Sequence, residues 1–86
     1  MIMRINNNLA EIAGWYGAIA IVSAYALVSF GAIRPDGMLF QLLNLTGALG
    51  IITISAVKNV TQSVVLNLFW AAIASMALIN IVLTSL

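Results

Sequence analysis

The sequence predicts an all-α membrane protein, a three-transmembrane-helix antiparallel bundle. The 86 residues are 64% hydrophobic and only 6% charged, and the mean hydropathy is +1.17. A water-soluble chain carries about 25% charged residues. A globule of this size leaves much of its surface in water, so it could not bury so many apolar side chains. We therefore expect the lipid bilayer to be the solvent of this chain.

Charged residues divide the chain into three uncharged runs, each long enough to cross a bilayer. The runs cover residues 12–33, 37–57 and 59–86, and a crossing needs about 20 mainly apolar residues. They predict helices at roughly 10–33, 38–57 and 62–85. No run alternates strictly between apolar and polar residues, which argues against a transmembrane barrel. We expect residues 1–86 to form a single three-helix transmembrane domain.

The breaks between the predicted helices contain turn-forming residues. Residues 34–37 read Arg-Pro-Asp-Gly; the proline disfavours helix in the residue before it, and Asp36 is expected to cap the second helix. In the second break, Lys58 complements a helix C-terminus and Asn59 tolerates a left-handed cap. Thr61 is expected to cap the third helix. Because both links are short, consecutive helices should be antiparallel neighbours.

Small residues follow the first helix at intervals of three and four and recur in the other two helices. Helices associate in lipid by close approach of their backbones, which small side chains permit. We expect these residues to pack the first helix against the second and third helices of the same chain. The alternative is a dimerisation surface, at Gly14 and Gly17 or at Ala71 and Ser75. The predicted packing residues are Ala13, Gly14, Gly17, Ala20, Ala24, Gly47, Gly50 and Ala71.

Five polar side chains inside the apolar runs are candidates for hydrogen bonds between helices. An unpaired carboxamide is costly in hydrocarbon, so such groups usually turn towards other helices. Depth along the helices predicts one layer that pairs the Tyr25 hydroxyl with Asn44, within reach of Asn80. A second layer sets Asn67 against Thr53 and the backbone at Gly17. The alternative is a polar lining for a solute or ion, but the runs contain no ionisable residue of the kind that transport normally uses.

The missing residue types exclude several kinds of chemistry. The chain has no Cys and no His, so it lacks thiolate ligands, disulfides and the commonest proton shuttle and metal ligand. Glu11 and Asp36 flank the first helix, about 35 Å apart, too far to act as an acid–base pair. The three basic residues are scattered, which gives no nucleic-acid footprint. We expect no enzymatic activity, no cofactor, no metal and no nucleic-acid partner.

The basic residues also predict an orientation. Arg4, the α-amino group and Lys58 fall on one side of a three-helix protein, and Arg34 falls on the other beside Asp36. Positive charge favours the cytoplasm. We therefore predict a cytoplasmic N-terminus and an outside C-terminus.

Several short motifs carry a resemblance to a known family. They are residues 14–17 (Gly-Trp-Tyr-Gly), 24–25 (Ala-Tyr), 40–48 (Phe-Gln-Leu-Leu-Asn-Leu-Thr-Gly-Ala) and 67–70 (Asn-Leu-Phe-Trp). The chain resembles an uncharacterised family of small bacterial three-helix inner-membrane proteins, often tagged "permease". The resemblance covers nearly the whole chain, and residues 40–48 are its most specific part. It implies a protein of the bacterial cytoplasmic membrane, and it implies no activity, cofactor or binding residue.

Two classes of function remain. The first is a structural or interaction bundle that forms a homo-oligomer, with a dimer favoured, or accompanies a larger membrane complex. The second is a minimal transporter or channel that works as a homo-oligomer. It would be similar in size to the three-helix half-transporters that move sugars, but those carry Pro-Gln within a helix, whereas Pro35 is in a turn and Gln41 is not beside it. A holin-like pore former is a third hypothesis, but residues 83–86 lack the charge expected of its tail.

Overall fold

A computed structural model describes residues 6–86, which form three long helices. Helix α1 runs Asn7–Ser29, α2 runs Met38–Val57 and α3 runs Thr61–Ser85. Each is long and apolar enough to cross a membrane, and this part of the chain contains no strand. The predicted all-α class with three membrane-length helices is confirmed.

The first helix begins three residues earlier than predicted because a side chain caps it. Asn6 is the N-cap, and its Oδ1 accepts a hydrogen bond from the backbone N–H of Asn8 at 2.7 Å. The first N–H groups of a helix have no partner inside the helix, and a carboxamide at this position satisfies one of them. The helix therefore includes Asn7, Asn8 and Leu9, which lie outside the apolar run.

The two N-terminal side-chain caps predicted from the sequence, at Asp36 and Thr61, do not form. Gly37 is the N-cap of α2 and Val60 is the N-cap of α3, and neither makes a side-chain capping bond. Asp36 is not a cap because its carboxylate accepts hydrogen bonds from Arg34. Thr61 lies inside α3 as its first residue. Both predictions of a cap are wrong.

A left-handed residue ends each of the first two helices. Gly31 has a φ of 74° and Asn59 a φ of 61°. After Gly31, the N–H of Ala32 donates to the carbonyl of Leu27 at 2.8 Å, and the turn after Asn59 repeats this hydrogen bond. This Schellman motif satisfies carbonyls that a helix end leaves unpaired. The motif after α2 confirms the left-handed cap predicted at Asn59. The motif after α1 ends that helix at Ser29, before the proline and short of the predicted residue 33.

Consecutive helices pack as antiparallel neighbours. Glu11 near the start of α1 meets Lys58 at the end of α2. Gly17, further along α1, meets Gly47, which comes earlier in α2. Residue numbers therefore rise along one helix as they fall along the other. The polar pairs between α2 and α3 described below follow the same order.

The three helices form an open layer with α2 in the middle. Helix α1 packs on α2 and α2 packs on α3, but no Cα atom of α1 lies within 8 Å of a Cα atom of α3. The molecule measures 40 × 26 × 20 Å. The expectation that the small residues of α1 pack against both other helices is therefore corrected. They contact only α2, because α2 uses a different side for α3.

Candidate functional site

Four glycines bring the backbones of α1 and α2 into contact. A methyl group added at Gly17 would overlap the carbonyl oxygen of Gly47, and one added at Gly50 would overlap the carbonyl oxygen of Ala13. No side chain fits between the helices at these two points, so Gly17 and Gly50 are required by the close approach of the partner backbone, whereas the nearest atoms to Gly14 and Gly47 belong to isoleucine side chains of the facing helix. We call this contact the glycine interface, and it consists of Gly14, Gly17, Gly47 and Gly50.

The other predicted packing residues lie against α2 or beside it. Ala20 and Ala24 are buried on α1, and Ala71 is buried on α3. The carbonyl of Ala13 lies against α2 at Gly50. The alternative of a dimerisation surface at Gly14 and Gly17 is therefore wrong, because both glycines are buried within one chain. Ala71 is equally unavailable to a second copy.

One ion pair lies at each end of the layer. Lys58 Nζ lies 2.6 Å from Glu11 Oε1, which joins the end of α2 to the start of α1. At the opposite end, Arg34 donates from Nε and Nη2 to the two carboxylate oxygens of Asp36, at 2.9 and 3.0 Å. These hydrogen bonds and the positive charge of Arg34 hold the pKa of Asp36 below its ordinary value. Each pair is electrically neutral and exposed to solvent.

Asn44 is the polar centre of the contact between α2 and α3. Its side chain is buried; Nδ2 donates to the carbonyl of Phe40 at 2.8 Å, and Oδ1 accepts from Trp70 Nε1 at 3.3 Å. The predicted pair of Asn44 with Tyr25 does not form, because Asn44 faces α3 whereas Tyr25 is on α1 and is 74% exposed. The predicted reach of Asn80 to Asn44 is also wrong.

A second polar group joins α2 and α3 nearer the second link. The Ser55 hydroxyl donates to Ser63 Oγ at 2.7 Å, and Asn67 Nδ2 donates to the Ser63 carbonyl at 2.9 Å. Thr53 donates to a carbonyl of its own helix. The predicted contact of Asn67 with Thr53 and Gly17 is therefore wrong, because Gly17 lies in the glycine interface on the other side of α2.

Trp70, Ser55 and Ser63 were not predicted as partners, although the sequence holds a signal for the two that lie on α3. Helix α3 places Ser63, Asn67, Trp70 and Ala74 at intervals of four, three and four, and three of these side chains can form hydrogen bonds. Such spacing puts all four on one face of a helix. A further unpredicted hydrogen bond joins the hydroxyls of Tyr16 and Thr46, which lie 2.6 Å apart across α1 and α2.

A groove between α2 and α3 opens beside Asn44. Its volume is about 150 Å³, and it is lined by Phe40, Gln41, Asn44, Trp70, Ile73 and Ala74. Gln41 also lines a neighbouring hollow at the first link, together with Pro35, Asp36, Ala77, Asn80 and Ile81. Amides line both cavities, and Asp36 is their one ionisable residue. The two cavities can accept hydrogen bonds from a ligand or donate them, but they do not bring two proton-transfer groups together.

These features define a small α-helical protein of membrane-length helices, held together by the glycine interface and by hydrogen bonds between α2 and α3. A family model matches residues 10–85, which is nearly the whole chain. The chain belongs to this family, an uncharacterised small family. No curated protein and no solved structure matches the chain.

Proposed function

We propose that this is a small integral membrane protein whose role is interaction: it forms a homo-oligomer, most simply a dimer, or accompanies a larger membrane complex. The observation that carries the proposal is how little of α3 is covered. Only 11% of the residues in its most apolar 18-residue segment are buried, compared with 22% in the corresponding segment of α1 and 33% in that of α2. One outer helix therefore has most of its surface free for a partner. The proposal includes no enzymatic role and no cofactor.

The total exposed area supports a protein partner. The chain exposes 5807 Å², whereas a compact soluble chain of 9.1 kDa would expose about 4,900 Å². The excess of about 900 Å² is close to the roughly 800 Å² that one partner contributes to a standard interface. Lipid can cover the apolar part of this surface, but lipid tails offer no hydrogen bonds to polar groups.

The proposed location is the bacterial cytoplasmic membrane. It is supported by the three membrane-length helices and by the resemblance carried by residues 40–48. The orientation rests on few charges. Each link carries one basic residue, Lys58 or Arg34, and each of these is paired with a carboxylate, so the two links balance each other. The remaining positive groups are the α-amino group and Arg4, which lies outside the described residues. They favour a cytoplasmic N-terminus.

This orientation predicts the result of reporter fusions. A reporter that works only in the periplasm should be active when fused after Leu86, and a cytoplasm-only reporter should be inactive there. Fusions after Asn59, in the second link, are the matched control and should give the opposite pattern. Cytoplasmic activity after Leu86 together with periplasmic activity after Asn59 would reverse the orientation.

The interaction itself is tested by isolating the tagged full-length protein from native membranes in a mild detergent. Native mass spectrometry should find a homo-oligomer, or a complex with one larger membrane protein in a fixed ratio. Co-expression of two differently tagged copies controls for association after lysis, because genuine oligomers carry both tags only when the copies share a cell. Monomer alone, even at a high protein-to-detergent ratio, would contradict the proposal.

A minimal transporter is the second candidate, and the groove beside Asn44 is the observation that favours it. The groove offers amide groups to a polar solute. Transport sites in membranes usually contain an ionisable residue or a broken helix, and helices α1, α2 and α3 are unbroken. A homo-oligomer that binds a solute at Asn44, and loses it in Asn44→Leu, would favour this candidate over an interaction role.

A further inference from the structure

The outer side of α3 carries an exposed row of residues at intervals of three and four. Its apolar members are 60–70% exposed. The spacing places the row along one side of a helix, as the a and d positions of a heptad do in a coiled coil. The residues of α3 that are buried against α2 belong to a different side, and Ile73 lies at the edge where the row meets the groove beside Asn44. We call this row the α3 stripe, and it consists of Leu66, Phe69, Ile73, Met76, Asn80 and Leu83.

Asn80 is the polar member of the α3 stripe, and it also borders the hollow at the first link. Its backbone carbonyl accepts a hydrogen bond from Thr84, but within residues 6–86 its exposed side chain makes no hydrogen bond. Asn80 lies five residues before the end of α3, about 7.5 Å along the helix. An unpaired amide at that depth is unfavourable in hydrocarbon. A partner that brings a hydrogen-bonding group to this level would remove the penalty.

We propose that the α3 stripe binds a second copy of this chain, with the two α3 helices parallel about a two-fold axis along the membrane normal. This inference rests on the proposed function, and it specifies the partner and the surface. In such a dimer each residue of the stripe meets its own equivalent. Asn80 therefore faces Asn80 at the same depth. Each amide has a donor and an acceptor, so the pair satisfies itself.

The polar residue explains why the occupant is a second parallel copy. Copies that share one membrane orientation present Asn80 at equal depth without further adjustment. In an antiparallel pair centred on Ile73, Asn80 would face Leu66 and stay unpaired. A single asparagine among apolar a and d positions is also the device that fixes register in coiled coils. The whole chain exposes about 900 Å² more than a compact soluble chain of its mass, which is about the area that one partner contributes to a standard interface.

Cysteine cross-linking in native membranes tests the surface. The chain contains no cysteine, so each single variant reports on one position. Phe69→Cys, Ile73→Cys and Met76→Cys should form disulfide-linked dimers under mild oxidation. The controls Leu68→Cys, Ile79→Cys and Val82→Cys lie off the stripe on the same helix and are 47–60% exposed. These controls should give a much weaker band of disulfide-linked dimer than the stripe variants, because two sulfur atoms form a bond only within a narrow geometry.

The outcomes separate this inference from the proposed function. Cross-linking at Ile73 alone indicates an antiparallel pair and overturns the inference. Equal cross-linking at all six positions, or at control positions only, also overturns it, although an oligomer then exists and the proposed function stands. Absence of any oligomer in native mass spectrometry of the unmodified chain overturns both.

Substitution of Asn80 tests the central contact. Asn80→Leu should weaken the dimer about three- to twenty-fold, the range expected for a hydrogen bond between membrane helices. Asn80→Gln keeps the amide and should recover most of the affinity, whereas Ile79→Leu, one residue away, should change little. The measurement is energy transfer between labelled copies in detergent over a dilution series. An unchanged dissociation constant for Asn80→Leu, with helix content preserved, would overturn the inference.

Discussion

A single methyl group added at Gly17 or Gly50 should lower the free energy of unfolding by about 1–3 kcal/mol. The added carbon would overlap a backbone carbonyl of the facing helix, at Gly47 or Ala13. Backbone atoms cannot rotate away as a side chain can, so α1 and α2 must move apart. The change should outweigh the gain of about 1 kcal/mol that alanine brings to a helix. Reversible unfolding in mixed detergent measures the difference.

Two variants make this test specific. Gly14→Ala should cost less than Gly17→Ala, because its added carbon meets the side chain of Ile54, 2.6 Å from Cγ2, rather than backbone. Val22→Ile is the matched control, since it adds one carbon at a position of α1 that is 67% exposed. It should leave stability nearly unchanged. If Gly17→Ala were as stable as the natural chain, the close contact of α1 and α2 would be wrong.

Loss of the hydrogen bond between Asn44 and Trp70 should produce the second large effect. Asn44→Ala leaves the Trp70 N–H without its acceptor and is expected to cost about 1–3 kcal/mol. Trp70→Phe keeps an aromatic ring but removes the donor. The double-mutant cycle should show a coupling of about 0.6 kcal/mol, and at most about 1.7 kcal/mol. Unfolding in mixed detergent is again the measurement.

A second cycle serves as the control. Tyr25→Phe combined with Asn44→Ala should be additive within about 0.3 kcal/mol, because Tyr25 is exposed on the opposite side of the layer. If Tyr25 and Asn44 were coupled while Asn44 and Trp70 were additive, the pairing of Tyr25 with Asn44 predicted from depth alone would be restored. It would also contradict the side of α2 assigned to α3.

The helices themselves could be predicted from the sequence because lipid imposes a simple length requirement. Uncharged apolar runs long enough for a bilayer identified α2 and α3 to within a residue at each end. The ends of α1 were less predictable, since local hydrogen bonds decide them. Asn6 extends the helix beyond the apolar run. Gly31 ends it by adopting a left-handed conformation that many glycines do not adopt.

The side-chain pairs were less predictable because depth in the membrane fixes only one coordinate. Tyr25 and Asn44 were paired on depth, but pairing also requires that both face the same neighbour. The rotation of α2 is set by the glycine interface, which turns Gly47 and Gly50 to α1 and leaves Asn44 to α3. An apolar sequence with few charges gives little sign of such a rotation. The spacing of residues 63, 67, 70 and 74 was the one available indication.

The open order of the layer, with α2 between α1 and α3, is tested most directly by paired cysteines within one chain. Cysteines at Ser55 and Ser63 should form a disulfide across α2 and α3, because their Oγ atoms lie 2.7 Å apart. Pairs that join α1 to α3 should form none, since no Cα atoms of these helices come within 8 Å and a disulfide needs about 4.4–6.8 Å. An intramolecular disulfide between α1 and α3 would contradict the open layer and remove the uncovered face of α3 on which the proposed interaction depends.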